Sequence, residues 1–170
     1  MGRTTDFLVN LRRIIKLHES VLKQIGERFG LSLTEAKIIS FLHNNPGKDT
    51  AADIVELRML SKGNVSQAVE SLIQKSLLEL EQDRDDRRKI HLFLTSKTKP
   101  ITDCVDCLFQ QFYKEIFDGL SDEERELFHK IISIVVEFAT FGPLFATEKP
   151  HSGNIVKSEF TCIIYLARII

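Results

Sequence analysis

Lys62, Asn64, Ser66 and Gln67 stand close together, with no acidic residue among them before Glu70. All four can donate hydrogen bonds to phosphate oxygens, and Asn and Gln can also pair with adenine edges in a major groove. Gly63 adds no side chain, so the backbone there can approach a phosphate closely. Ser61, just before them, is of the type that caps a helix start by accepting a free backbone N–H. A second set of donors follows at Arg84, Arg87, Arg88 and Lys89, interspersed with Asp83, Asp85 and Asp86. Taken alone, that run reads as a solvated, charge-balanced loop tip. Beside a polar helix end, its arginines are suited to phosphates or a narrow minor groove, and the aspartates would hold them in place. Both sets serve recognition of double-stranded DNA and not bond making. The enzyme alternative has little to stand on: there is no Gly-rich phosphate loop, no His-Glu-x-x-His and no nucleophile elbow.

The elements that must position these donors are legible from periodicity. From the Ser61 cap, Val65, Ala68, Val69, Leu72 and Ile73 recur at the spacing of one apolar helical stripe. Upstream, Thr50 and Asp53 form a capping-box pattern, and Ala51, Ala52, Ile54, Val55 and Leu57 make a short helix that stops near Arg58-Met59-Leu60. Two helices joined by so short a turn have helix-turn-helix spacing. Downstream, Leu77, Leu78 and Leu80 and then Ile90, Leu92 and Leu94 bracket the polar run 81–89, as two strands of a hairpin would.

The segment from Thr50 to Thr95 resembles the MarR (multiple antibiotic resistance regulator) family of transcription factors. The likeness rests on Asp86-Arg87-Arg88 followed by Leu94-Thr95, on Leu33-Thr34-Glu35 opening the second helix, and on Val65, Val69 and Leu72. Leu120-Ser121-Asp122-Glu123-Glu124, at the start of the last long helix, fits as well, so the similarity runs over residues 5–141. It implies a fold that is mainly α with a small β-hairpin wing: a winged helix-turn-helix with N- and C-terminal dimerisation helices. It also implies a homodimer on a pseudo-palindromic operator, usually a repressor relieved by a small-molecule effector or an oxidant. The DNA-binding residues would be Ser61, Lys62, Gly63, Asn64, Ser66, Gln67, Arg84, Arg87 and Arg88. Two positions depart from the pattern. Ser76 stands where the family usually ends its recognition helix with glycine, which predicts local strain. Lys97-Thr98-Lys99-Pro100 stands where a glycine usually follows the Leu-Thr pair, which leaves the start of the next helix open by a few residues.

The expected organisation is a dimerisation helix over 1–30, the winged lobe over 31–99, C-terminal dimerisation helices over 100–141 and an atypical apolar extension over 142–170. With 170 residues and 43% apolar side chains, the chain can bury one core or share one with a partner. Its net charge of −1 supplies no general attraction to DNA, so affinity must come from local cation clusters. That balance keeps open a winged-helix module used only for protein contacts. No stretch approaches the ~20 apolar residues of a membrane span, and no signal-peptide core follows the N-terminus, so a cytoplasmic location without membrane contact is expected. No cofactor is implied. The helix with Leu127, Phe128, Ile131, Ile132, Ile134, Val135, Val136, Phe138 and Phe141 is apolar on more than one face. Such a face calls for a second subunit or a deep core.

The sensing chemistry is less defined. Cys104 and Cys107 form a Cys-x-x-Cys inside a helix, where i, i+3 geometry suits a short disulfide poorly. Buried structural thiols are favoured, with a thiol- or metal-responsive sensor as the alternative. His18 lies on the apolar stripe of the first helix, as a satisfied core or interface histidine would. The family's effector pocket, between the dimer helices and the DNA-binding lobe, makes it an effector-binding candidate. His43, His91 and His129 show no metal spacing. Phe160, Ile163, Ile164, Leu166, Ala167, Ile169 and Ile170 form an apolar end that could be an added element, a partner-binding segment or a pocket plug.

Overall fold

The computed structural model describes residues 3–58 and 60–141, with side chains described between 9 and 135. The extension at 142–170, its apolar end included, lies outside the described residues. Within them the order is α1 (Arg3–Phe29), α2 (Leu33–Asn44), α3 (Ala51–Arg58), α4 (Lys62–Gln74), β1 (Leu78–Gln82), β2 (Ile90–Leu94), a short 3-10 turn over Ser96–Thr98, α5 (Lys99–Ile116) and α6 (Asp122–Phe141). This is the helix, helix-turn-helix, hairpin and helix sequence of a winged helix. The next helix after the hairpin starts at Lys99, once the 3-10 turn has replaced the missing glycine.

Local side-chain chemistry sets the starts. Ser32 accepts the Glu35 N–H at 3.2 Å while the Glu35 carboxylate accepts the Ser32 N–H at 2.6 Å, a complete capping box on α2. Thr50 and Asp53 do the same for α3, and Ser121 and Glu124 for α6. Ser61 Oγ accepts the Asn64 N–H at 3.2 Å, starting α4 at Lys62. Each cap satisfies backbone donors that have no partner within the helix.

The chain forms two compact units, one up to Phe112 and one from Tyr113. The core of the first takes Leu22 and Ile25 from α1, Ile38, Ile39 and Phe41 from α2, Ile54 from α3, Val65 and Leu72 from α4, Leu78 from β1 and Val105 from α5, all fully buried. The α4 contributors are the stripe that periodicity predicts. Val69 and Ile73, from the same stripe, stay partly exposed and line a groove described below. In the second unit, Tyr113, Phe117, Phe128 and His129 form an aromatic cluster in which the Tyr113 hydroxyl lies 2.9 Å from His129 Nε2. Leu127, Ile131 and Ile134 of α6 are at least half exposed, and Val135 beside them is open too.

The hairpin pairs antiparallel, Leu78 with Leu94, Leu80 with Leu92 and Gln82 with Ile90. A third, single-bridge strand is added by Thr50 opposite His91, with the Leu92 N–H donating to the Asp49 carbonyl at 2.8 Å. The segment leading into α3 is thereby joined to the hairpin.

Candidate nucleic-acid interface

Ser61, Lys62, Gly63, Asn64, Ser66 and Gln67 are all exposed, and the first turn of α4 carries no acid. Their exposure follows from the buried stripe. With Val65, Ala68 and Leu72 facing inward, a 100° step per residue turns Gly63, Ser66 and Gln67 to the opposite side. Lys62, Ser66 and Glu70 border a groove of about 760 Å³ whose other walls are Ala51, Ala52 and Val55 of α3 and Leu80, Ile90 and Leu92 of the hairpin. The wing strands and the polar side of α4 therefore share one surface depression. Leu80 and Ile90, at 50% and 47% exposure, are open because they face this depression and not the core.

Between the strands, Arg84, Arg87 and Arg88 are exposed, and none has a carboxylate partner among the described residues. The expected role of the aspartates is corrected by the geometry: they hold the loop backbone and not the guanidinium groups. Asp83 Oδ1 accepts the N–H groups of Asp85 and Asp86 at 2.8 and 2.7 Å, and Asp86 Oδ1 accepts that of Arg88 at 3.1 Å. The Asp86 N–H, then the His91 ring and the Asp85 N–H, hold the Asp83 carboxyl down to about 2. Short aspartate side chains adjacent in sequence reach backbone donors more readily than long arginines. The arginines are left free for outside anions.

The end of α4 bears the strain that the missing glycine predicts. Ser76 has φ 56°, the only described non-glycine residue in that region. Its N–H donates to Ile73 O at 2.8 Å, and the Leu77 N–H reaches back to Leu72 O at 2.9 Å, the paired bonds of a Schellman cap. Thr95 secures the same corner, its hydroxyl donating to Ser76 O at 2.8 Å and its N–H to Leu77 O at 3.2 Å.

A buried charge cluster sets α4 against α2. Glu35, 4% exposed, accepts from Lys75 Nζ at 2.7 Å and from Ser71 Oγ at 2.8 Å, besides the Ser32 N–H. Burial alone would raise its pKa, but the Lys75 ammonium and the surrounding donors outweigh burial and lower it. The Ser32-x-x-Glu35 capping box was a visible signal for Glu35 as a helix start. Nothing local could announce its partners in α4.

His18 departs from its expected state. It is buried, 4.9 Å from the Phe109 ring and edge-on to Phe112, yet its Nε2 has no hydrogen-bond partner among the described residues. Burial, reinforced by the nearby positive charges of Arg58 and Lys37, pushes its pKa down to about 3, so the ring is neutral. Cys104 is buried and its sulfur accepts from Arg28 Nη1 at 3.6 Å, whereas Cys107 is exposed. The expectation of two buried thiols thus holds for Cys104 and fails for Cys107, which lies beyond the edge of the α5 stripe. Among the described residues no His, Cys, Asp and Glu cluster could hold a metal, and no helix is long and apolar enough to cross a membrane.

Comparison with known proteins agrees with this architecture. The sequence model of the MarR family matches residues 29–89, from the end of α1 through the arginine tip. The uncharacterised HTH-type transcriptional regulator YkoM of Bacillus subtilis is 27% identical over 101 residues, 59% of this chain; the chain spans 65% of that relative's length, just under two thirds. Among solved structures, a MarR transcriptional regulator from Methanosarcina mazei superposes with a TM-score of 0.65 at 16% identity, covering 82% of this chain and 98% of its own. Bordetella bronchiseptica BpsR, described for regulation of its DNA binding by 6-hydroxynicotinic acid, gives 0.56 at 22% identity, with 74% and 94% covered. These likenesses establish the fold over most of the described chain. The helix-turn-helix, the wing and the match to the MarR family model coincide on the same residues, so the chain carries a winged-helix domain similar to that family's.

Proposed function

We propose that this protein is a homodimeric DNA-binding transcriptional regulator, a repressor in its default state, that reads a pseudo-palindromic operator. Lys62, Asn64, Ser66 and Gln67 enter the major groove, with Ser61 and Gly63 at the phosphate nearest the start of α4. Arg84, Arg87 and Arg88 lie on the flanking backbone. The observation that carries this reading is the pairing of an exposed, acid-free helix start with a wing tip whose arginines lack carboxylate partners among the described residues. With a net charge of −1, phosphate affinity must come from local cation clusters such as these.

Twofold symmetry would place two recognition helices in successive major grooves, about one helical turn apart. The open stripe of Leu127, Ile131, Ile134 and Val135 supports a second copy as its cover, through helices at both ends of the chain. A small-molecule effector is part of this reading, and His18, whose buried ring has a nitrogen without a partner among the described residues, is the candidate contact. The cytoplasm is the compartment that this role requires.

The test is selection of duplexes from a randomised pool by the full-length protein, followed by fluorescence anisotropy across a salt series. The expected result is a palindromic site bound by two protomers, with affinity falling steeply as salt rises. Equal, weak binding to every duplex would leave the winged lobe as a protein-contact module instead.

A further inference from the structure

His91, in β2, lies between two carboxylates that come from different parts of the lobe. Its Nδ1 is 2.7 Å from Asp49 Oδ1, and its Nε2 is 3.0 Å from Asp83 Oδ2. Asp49 precedes α3 and already joins the hairpin through its carbonyl, which accepts the Leu92 N–H. Asp83 opens the wing loop, and its other oxygen holds the first backbone turn under Arg84. The ring is therefore the side-chain link between the arginine-bearing loop and the start of the helix-turn-helix.

Imidazole chemistry makes that link conditional. A neutral ring has one N–H and one lone pair, so it can donate to one carboxylate and must face the other with a lone pair. Only the imidazolium donates to both. Hydrogen bonds to Asp83 and then to Asp49 accordingly raise the pKa of His91 above its ordinary value. Among the described residues those two carboxylates are the charges that act on the ring, and α2 and α3 present no other. Glu81 stands opposite on β1, and Lys48, beside Asp49, is turned to Asp53 at 3.7 Å. Phe93 stacks near the ring at 6.3 Å and adds no charge.

We propose that His91 is a positioning residue for DNA binding, its imidazolium clamping the arginine loop of the wing to the segment that leads into α3. The role rests on the DNA-binding reading above. Because the folded pKa is raised, the clamp is complete below the unfolded value of about 6.5 and is lost as pH rises through the folded value. Arginines and phosphate diesters do not titrate in that range, so operator affinity should weaken toward alkaline pH with His91.

Two measurements on the full-length protein test this. In the free protein, the ring nitrogens of His91 are titrated by NMR, in the wild type and in Asp49→Ala and Asp83→Ala. The midpoint should lie above 6.5 and fall in both variants; a wild-type midpoint at or below 6.5 overturns the clamp. On the duplex selected above, affinity is followed by anisotropy from pH 6 to 8.5. The wild type should lose about fivefold or more, a coupling at the low end of linked sites, and His91→Gln should flatten the profile. Asp49→Ala separates positioning from bulk charge. Removing a negative charge would tighten DNA binding electrostatically, whereas loss of the clamp weakens it. Tighter binding by Asp49→Ala, or an unchanged pH profile in His91→Gln, refutes the positioning role. If no duplex binds at any pH, the DNA reading and the role fall together, while the NMR midpoint still decides whether the clamp exists.

Discussion

Replacing Ser76 by glycine should stabilise the protein. Ser76 is held at φ 56°, where an L residue sets its Cβ against the following carbonyl at a cost of about 1–2 kcal/mol. Its hydroxyl makes no hydrogen bond among those described, while its backbone carbonyl and N–H, both engaged, would survive the change. Against this relief stands the greater freedom that glycine loses on folding, about 0.5–1 kcal/mol. The net gain is roughly 0.5–1 kcal/mol, or about 1–4 °C in Tm for a chain of this size. The molecule contains its own control: after α1, Gly30 takes φ 65° and Leu31 N–H reaches back to Gly26 O at 2.8 Å, the same closure made with glycine. Urea unfolding at one fixed protein concentration should move the midpoint of Ser76→Gly upward with m unchanged. Ser76→Ala, which keeps the strained φ, should stay within about 0.5 kcal/mol of the wild type. A Ser76→Gly midpoint at or below that of Ser76→Ala would refute the strain argument.

Three further outcomes are expected. Glu35→Gln removes the charge that faces Lys75 and should cost about 1.5–3 kcal/mol, the worth of a hydrogen bond to a charged group. Because the Glu35 pKa is lowered on folding, its contribution is present above the ordinary value of 4.5 and lost as pH falls through the folded one, so the acid limb of urea stability should flatten in the variant. His18 is neutral in the fold down to about 3 but protonates at 6.5 when unfolded, so the wild type should lose up to about 1.4 kcal/mol per pH unit between those values relative to His18→Leu. Parallel stability curves for the two proteins over that window would contradict the buried neutral ring. On DNA, Gln67→Ala should relax discrimination at one base step by about 1–3 kcal/mol, whereas Arg88→Ala should weaken all duplexes alike and reduce the salt slope by about 1. Anisotropy on matched and mismatched duplexes separates the two effects, and unchanged affinities in both variants would remove these residues from the interface.

What could be read before the fold was known is what depends on neighbours in sequence. Ser61, Thr50 with Asp53, and Ser121 with Glu124 cap helices where their spacing says they must, because a cap needs only its own first turn. The strained Ser76 was legible for the same reason, from a missing glycine. The links that orient the elements were not. Glu35 meets Ser71 and Lys75 across 36 and 40 residues, and His91 meets Asp49 across 42. No periodicity reports contacts of that separation. Cys107, at the edge of the α5 stripe, is exposed; residue spacing alone does not tell which side of a stripe edge is covered. For His18 the apolar stripe gave its burial correctly but could not tell whether a partner would reach Nε2.

The fastening at Thr95 makes the hairpin a cantilever. One residue ties the strand that returns from the tip to both Ser76 and Leu77, so the root moves with the exit of α4. Five residues of strand extend the arm about 16 Å from that root, and a tilt of about 5° there sweeps its far end by about 1.4 Å by that length. That sweep is enough to break a guanidinium contact to a phosphate. A substitution at Thr95, which is itself no part of the donor set, would therefore be felt most strongly at the far end of the arm.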